Sequence, residues 1–223
     1  MNQYIESIDQ IVAEKNLLKH PFYLAWTRGE LTKEALADYA GQYYHHVAAF
    51  PTYLSAVHSH CDDQETRRQI LQNLSDEEAG SPNHPELWLQ FSRSLGLEET
   101  KVRAGEKRSE TTELIDTFRA TCRDGSVAEG LAALYAYESQ IPPICESKID
   151  GLEKHYGMTD PKSYEYFSVH IEADREHAAA ERKLLAEHVD GTNFESVKAS
   201  VHGVLDALWS LLTGVCQRHA IAC

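Results

Sequence analysis

A chain of 223 residues is long enough for one well-buried core and short for two full domains, so residues 1–223 are expected to form a single domain. With 35 acidic against 21 basic residues the net charge is -14, which opposes binding to phosphate backbones and to anionic membrane surfaces and argues against nucleic acid as a partner. The N-terminus shows no leader pattern, and no apolar run approaches the roughly 18 to 20 residues of a membrane span, so a cytoplasmic protein is expected.

Helical periodicity accounts for nearly the whole chain and no segment reads as a strand, which predicts an all-α fold. The first helix is expected over residues 3–18 and ends at His20-Pro21, followed by a short aromatic segment from Phe22 to Trp26. Thr32 is a candidate N-cap for a long helix reaching Ser59. Pro51 interrupts it and leaves the carbonyl of Val47 without its helical partner, so a kink is expected there. The next helix spans residues 64–78 and stops near Gly80-Ser81-Pro82, after which Pro85 opens another that Gly96 closes. Residues 98–109 are charged and contain Gly105, and read as a solvated connection. Further helices are expected over 110–122, 126–155, 163–188 and 194–219. The apolar stretch from Val204 to Val215, with Trp209, suits either the core or the seam of a homodimer. The five cysteines, Cys61, Cys122, Cys145, Cys216 and Cys223, show no C-x-x-C spacing and an odd count, and read as reduced thiols. Cys145 is a candidate nucleophile, with an inert buried thiol as the plainer reading.

The helix over 163–188 carries the strongest chemical signal. At about 100° per residue, Asp174 and His177 lie about 40° and 20° to either side of His170, so the three share one narrow face. Tyr166, Phe167, Leu184 and Leu185 flank that face, while Glu172, Arg175, Glu176, Arg182 and Lys183 point away. A charge facing a core requires a partner, and imidazole with carboxylate suits iron, manganese or zinc. Satisfied core histidines with Asp174 paired to an arginine remain the alternative. Glu138 is the only charged residue in GLAALYAYESQIPPIC, and Pro142 removes the N–H that would have bonded its carbonyl. In the third cluster Glu77 continues the apolar row of Ile70 and Leu74, and His84 follows seven residues later across a helix break; Asp76 and Glu78 are open alternatives to Glu77. Glu77, His84, Glu138, His170, Asp174 and His177 together form a two-metal inventory, of the carboxylate-rich kind typical of paired iron or manganese in helical bundles.

Five stretches, FYLAWTRGELTKEALADYA, YYHHVAAFPTYLSAVHSHCDD, NLSDEEAGSPNHPELW, LAALYAYESQIP and HIEADREHA, occur in this order through almost the whole chain. In them the sequence resembles the family of the Chlamydia protein associating with death domains and its bacterial relatives. The resemblance implies a haem-oxygenase-like helical fold, shared with pyrroloquinoline-quinone synthase and thiaminase II proteins, and a non-haem dimetal oxygenase site on the same six residues, with Glu77 selected over its neighbours. It further implies synthesis of p-aminobenzoate for folate from dioxygen and a reductant, with Tyr23 sacrificed as the aromatic ring and Lys148 as the amino donor. Tyr39 and Tyr137 match family tyrosines that line the pocket or relay electrons. Taken without the resemblance, Tyr23 reads as packing and Lys148 as surface.

Three function classes follow. They are a dimetal self-processing oxygenase, a conventional oxidase or hydrolase acting on a small molecule like the quinone-synthase and thiaminase relatives, and a death-domain-binding interaction protein. The ligand set favours the first.

Overall fold

The computed structural model describes residues 2–222, so Met1 and Cys223 lie outside it. Eleven α-helices and two 3-10 turns occur among the described residues, with no strand, as the periodicity predicts. They are α1 (Gln3–Glu14), α2 (Pro21–Thr27), α3 (Lys33–His60), α4 (Gln64–Glu78), α5 (His84–Ser94), α6 (Glu99–Arg103), α7 (Ser109–Asp124), α8 (Val127–Glu138), α9 (Ile141–His155), α10 (Glu165–His188) and α11 (Phe194–Arg218).

Local chemistry accounts for the departures from the expected boundaries. The first helix stops at Glu14 because Asn16 accepts a hydrogen bond from the Leu18 N–H and starts a separate 3-10 turn over Leu17–Lys19. The aromatic segment is itself a helix, begun by Pro21 at its first position and capped by the His20 ring. α3 runs unbroken through Pro51, and nearby the Thr52 hydroxyl donates to the Ala49 carbonyl at 2.5 Å. The expected solvated connection contains α6.

The single helix expected over 126–155 is two. Pro142 and Pro143 offer no N–H to the carbonyls of Glu138 and Ser139, and the chain breaks there into α8 and α9.

α8 is the centre of the molecule. Its residues from Gly130 to Glu138 are all buried, and α3, α7, α10 and α11 pack around it. Gly130 permits the close approach of α3: a Cβ there would lie 2.6 Å from Val57 Cγ2. Gly151 does the same between α9 and α2, where a Cβ would lie 2.6 Å from Trp26 Cδ1.

α11 is long enough, and over an 18-residue window apolar enough at mean hydropathy 1.3, to cross a membrane by composition, contrary to the sequence expectation. Half of that window is buried inside the protein. Val204, Leu205, Leu208, Leu211, Leu212 and Val215 belong to the core, and Trp209 Nε1 donates to the Lys15 carbonyl at 2.8 Å. The buried side chains of the stretch left open between core and dimer seam pack into the core.

Candidate metal centre and aromatic cage

α10 delivers His170, Asp174 and His177 to one face, and all three are buried. Opposite them the end of α8 brings Glu138, and the turn between α4 and α5 brings Glu77 and His84. The six assemble as two groups, Glu77/His84/His170 and Glu138/Asp174/His177, each with its donor atoms within 4.8 Å of one another. Glu77 and His84 do not share a helix face. His84 opens α5, and the chain reversal between the helices sets its Nδ1 2.9 Å from Glu77 Oε1.

The donor spacings fit metal ions. Ligands about 2.1 Å from a common ion lie about 3 to 4 Å from each other. Glu77 Oε1 is 2.9 Å from His84 Nδ1 and 4.0 Å from His170 Nε2, while His177 Nδ1 is 3.6 Å from Glu138 and 3.7 Å from Asp174. Despite these approaches, the Nδ1 atoms of His84 and His177 are buried without an aligned hydrogen bond. Buried polar atoms are seldom left in this way, and a cation between the donors would supply the missing partner.

The neighbouring groups orient the ligands for this purpose. His170 Nδ1 lies 2.6 Å from the Tyr166 carbonyl, so its proton sits there and the Nε2 lone pair faces Glu77. Burial holds His170 well below the usual imidazole range, which keeps that lone pair free. His177 Nε2 lies 3.0 Å from Asp76, which turns Nδ1 inward. Asp76, an open alternative to Glu77 in sequence, thus contacts the far nitrogen of a ligand, and Glu78 is exposed.

Four carboxylates within one buried space perturb one another strongly. Burial, together with the charges of Glu138 and Glu77, pushes Asp174 up to about 8. Burial opposes the His177 imidazolium, but Asp174, Glu138 and Asp76 outweigh it and raise the group to about 11. Burial likewise raises Glu77, against the His84 contact that lowers it. Glu138 is held below the usual range despite its burial, by the neighbouring Glu181 carboxyl, the His177 charge and the hydrogen bonds from Asn73.

Glu181 and Asn73 were missed in the sequence. Asn73 Nδ2 donates to both Glu138 oxygens at 3.0 and 3.2 Å. Glu181 is buried, and burial and the Glu138 charge hold its carboxyl protonated, so it donates to Glu138. The signal for Glu181 was present: it follows His170 by eleven residues, about 20° round the wheel, on the same stripe.

Beside the metal groups stands an aromatic cage around Lys148. This lysine, which reads as surface from sequence, is only 3% exposed. The break between α8 and α9 redirects the chain so that its ammonium points inward, and Nζ donates to Tyr39 Oη at 2.7 Å. Tyr39 Oη is 3.2 Å from Tyr23 Oη, so Tyr23, Tyr39 and Lys148 form one hydrogen-bonded row. Six rings surround the ammonium at 4.8 to 5.9 Å, among them Tyr23, Tyr43, Trp88 and Phe167. Burial lowers Lys148 to about 8.

Contact with the metal groups is continuous. Tyr166 stacks on His170 at 3.9 Å and meets the Trp88 ring edge at 4.8 Å, and Tyr43 donates to Tyr137 at 3.0 Å. Tyr137 lines the cavity between the metal groups with Val47, Phe50 and Tyr166; its volume is about 10 Å³. Cys145 is buried, and burial pushes its thiol well above the usual range, which fits the inert buried thiol rather than the nucleophile.

Comparison with known proteins agrees with this geometry. Residues 37–210 match a family model described as iron-containing redox enzyme. A protein of Chlamydia pneumoniae named 4-aminobenzoate synthase is 45% identical, covering 96% of this chain and 95% of that one. One of the same name from Nitrosomonas europaea is 43% identical, covering 98% and 93%. Among solved structures, a TenA homologue from Pseudomonas syringae superposes with TM-score 0.82 at 17% identity, over 96% of this chain and 91% of that one, a likeness of fold. The chain belongs to the iron-containing redox enzymes of haem-oxygenase type, in the same group as the two relatives named 4-aminobenzoate synthase.

Proposed function

We propose that this protein makes 4-aminobenzoate from its own side chains, with Tyr23 as the source of the ring and Lys148 as the source of the nitrogen. The observation that carries the reading is the buried row Lys148–Tyr39–Tyr23 beside a closed metal cavity of about 10 Å³. Pockets that hold an organic substrate usually run to about 300–1,000 Å³, whereas this cavity has room for about one water-sized molecule and none for an external aromatic substrate. That favours a substrate already in the chain over the conventional small-molecule oxidase.

The product needs a para-substituted ring, one carbon that becomes the carboxylate, and an amino nitrogen. Tyr23 carries the first two in its ring and Cβ, and Lys148 carries the third. Transfer of nitrogen requires a neutral amine. With its ammonium lowered to about 8, Lys148 at pH 7 holds about 300 times the neutral fraction of a solvent lysine. Tyr39, accepting from Lys148 and touching Tyr23, positions the two and offers a proton route between them.

Glu77, His84 and His170 form a two-histidine, one-carboxylate set that suits iron, and Glu138, Asp174 and His177 an oxygen-rich set that suits manganese or iron. Bound there, the two ions would supply the activation of dioxygen, with an external reductant completing the electron count. Trp88, Phe167 and Tyr166 exclude water between the metal groups and the cage. On this reading the partners are small molecules, in the cytoplasm.

The test is stoichiometric. Protein carrying labelled tyrosine, loaded with iron and manganese and given dioxygen and reductant, should yield labelled 4-aminobenzoate, at most about one per chain, with a mass change at Tyr23. Tyr23→Phe and Lys148→Arg should give none while keeping their metal. Unlabelled product, or many products per chain, would leave an ordinary turnover oxygenase.

A further inference from the structure

In a chain of net charge -14, one cleft is lined by basic ionisable groups alone. It lies between α3, α6 and α7, is open to solvent, and has a volume of about 230 Å³. Arg103 of α6, Lys107 of the following loop and Arg119 of α7 rim it, His45 lies within it, and no aspartate or glutamate belongs to its wall. Elsewhere Arg28, Arg93, Arg123, Arg175, Arg182 and Arg218 are each paired with a carboxylate. Among the described residues no carboxylate pairs with Arg103, Lys107 or Arg119, and the one hydrogen bond of Arg103 goes to Tyr44 Oη at 3.1 Å.

Three unpaired cations held together repel each other, and in an acidic protein the usual remedy is a neighbouring carboxylate. Their convergence without one calls for an anion from outside. Two further features narrow its class. His45 adds an imidazole to the lining. Tyr44, Ala48, Ala49 and Ile115 supply an apolar wall, and Tyr44, Ala49 and Ile115 are themselves buried. Guanidinium groups over an apolar wall suit a phosphate attached to a flat ring system.

The position adds significance. Ala48 and Ala49 of α3 face the cleft, while their neighbours Val47 and Phe50 line the metal cavity, so one helix separates the two spaces.

We infer that this cleft is a binding site for a small phosphate-bearing anion with a planar body, the chemistry of a phosphorylated redox cofactor, with a free polyphosphate as the other source. The inference stands apart from the roles of Tyr23 and Lys148.

Flavin mononucleotide, riboflavin and inorganic pyrophosphate serve as probes on the metal-loaded full-length protein. Quenching of flavin fluorescence should give saturable binding of flavin mononucleotide that weakens with salt, and riboflavin should bind about tenfold less tightly or worse. Pyrophosphate should displace the nucleotide. Lys107→Glu combined with Arg119→Glu should lower affinity by about tenfold or more, with unchanged helical circular dichroism and metal content. Binding of pyrophosphate without the flavin nucleotide assigns the site to free polyphosphate. Absence of both, equal binding of riboflavin, or binding untouched by the double variant and by Arg103→Glu overturns the inference. With a small chemical reductant the double variant should still form its 4-aminobenzoate, so a failed cleft and a failed self-processing reaction give different results.

Discussion

Replacing Lys148 by methionine keeps most of its volume and removes its charge, and the consequence for stability depends on pH in a calculable way. In the unfolded chain the amine titrates near 10.5, and in the folded protein burial lowers it to about 8. Below pH 8 both states hold the proton, and the full cost of burying the ammonium is present. Between 8 and 10.5 the unfolded state binds more protons than the folded one, so the stability of the wild type rises with pH and the cost disappears. A difference of about 2.5 units at about 1.36 kcal/mol each sets that cost at about 3 kcal/mol. The six surrounding rings favour the ammonium, which makes this figure a ceiling. Urea unfolding of wild type and Lys148→Met with matched metal content, at pH 7, 8.5 and 10, is the assay. The stability of the variant relative to wild type should fall by up to about 2.5 kcal/mol from pH 7 to pH 10. Because exposed tyrosines titrate alike in both proteins, the difference isolates Lys148. A difference that stays flat within about 0.5 kcal/mol would refute a lysine held in a cage with a depressed pKa.

Metal loading at pH 7 should release protons, because His177, raised to about 11, and Asp174, raised to about 8, must both lose theirs to become ligands. Affinity should therefore rise with pH through this range, and calorimetry in buffers of different ionisation enthalpy should show the release; heats independent of buffer would contradict it. His170→Ala and Glu138→Ala should each lower the metal content by about one ion per chain, and elemental analysis finding both ions in both variants would show the ligands to be misassigned. Asn73→Leu and Glu181→Leu strip hydrogen bonds from Glu138 and should weaken metal binding by about 10–100-fold, measured by competition with a chelator; unchanged affinity would reduce both to packing. Gly151→Ala should push Trp26 out of the cage and destabilise the fold by about 1–3 kcal/mol in urea titrations, an expectation that fails if the midpoint does not move.

The all-α fold class, the metal stripe and the charge of α8 were legible in the sequence because each is a matter of short-range periodicity, while the haem-oxygenase-like type was implied by the family resemblance. His170, Asp174 and His177 declare their common face through helix geometry alone, and Glu138 stands out because its own helix is apolar on every side. Tertiary structure decided what periodicity does not reach. Glu77 and His84 meet only because the chain reverses between α4 and α5, and although Glu77 continues the apolar row of Ile70 and Leu74, nothing in the spacing brings His84 to it across the helix break. Lys148 reads as a surface residue until two prolines break the helix ahead of it and α2, α3 and α10 close their rings around its ammonium. The partners of Glu138 and the basic cleft likewise join residues far apart in sequence. Local sequence determines which face a side chain takes on its own helix; which other side chains it then meets, and so its charge state and chemistry, is determined by how the helices pack.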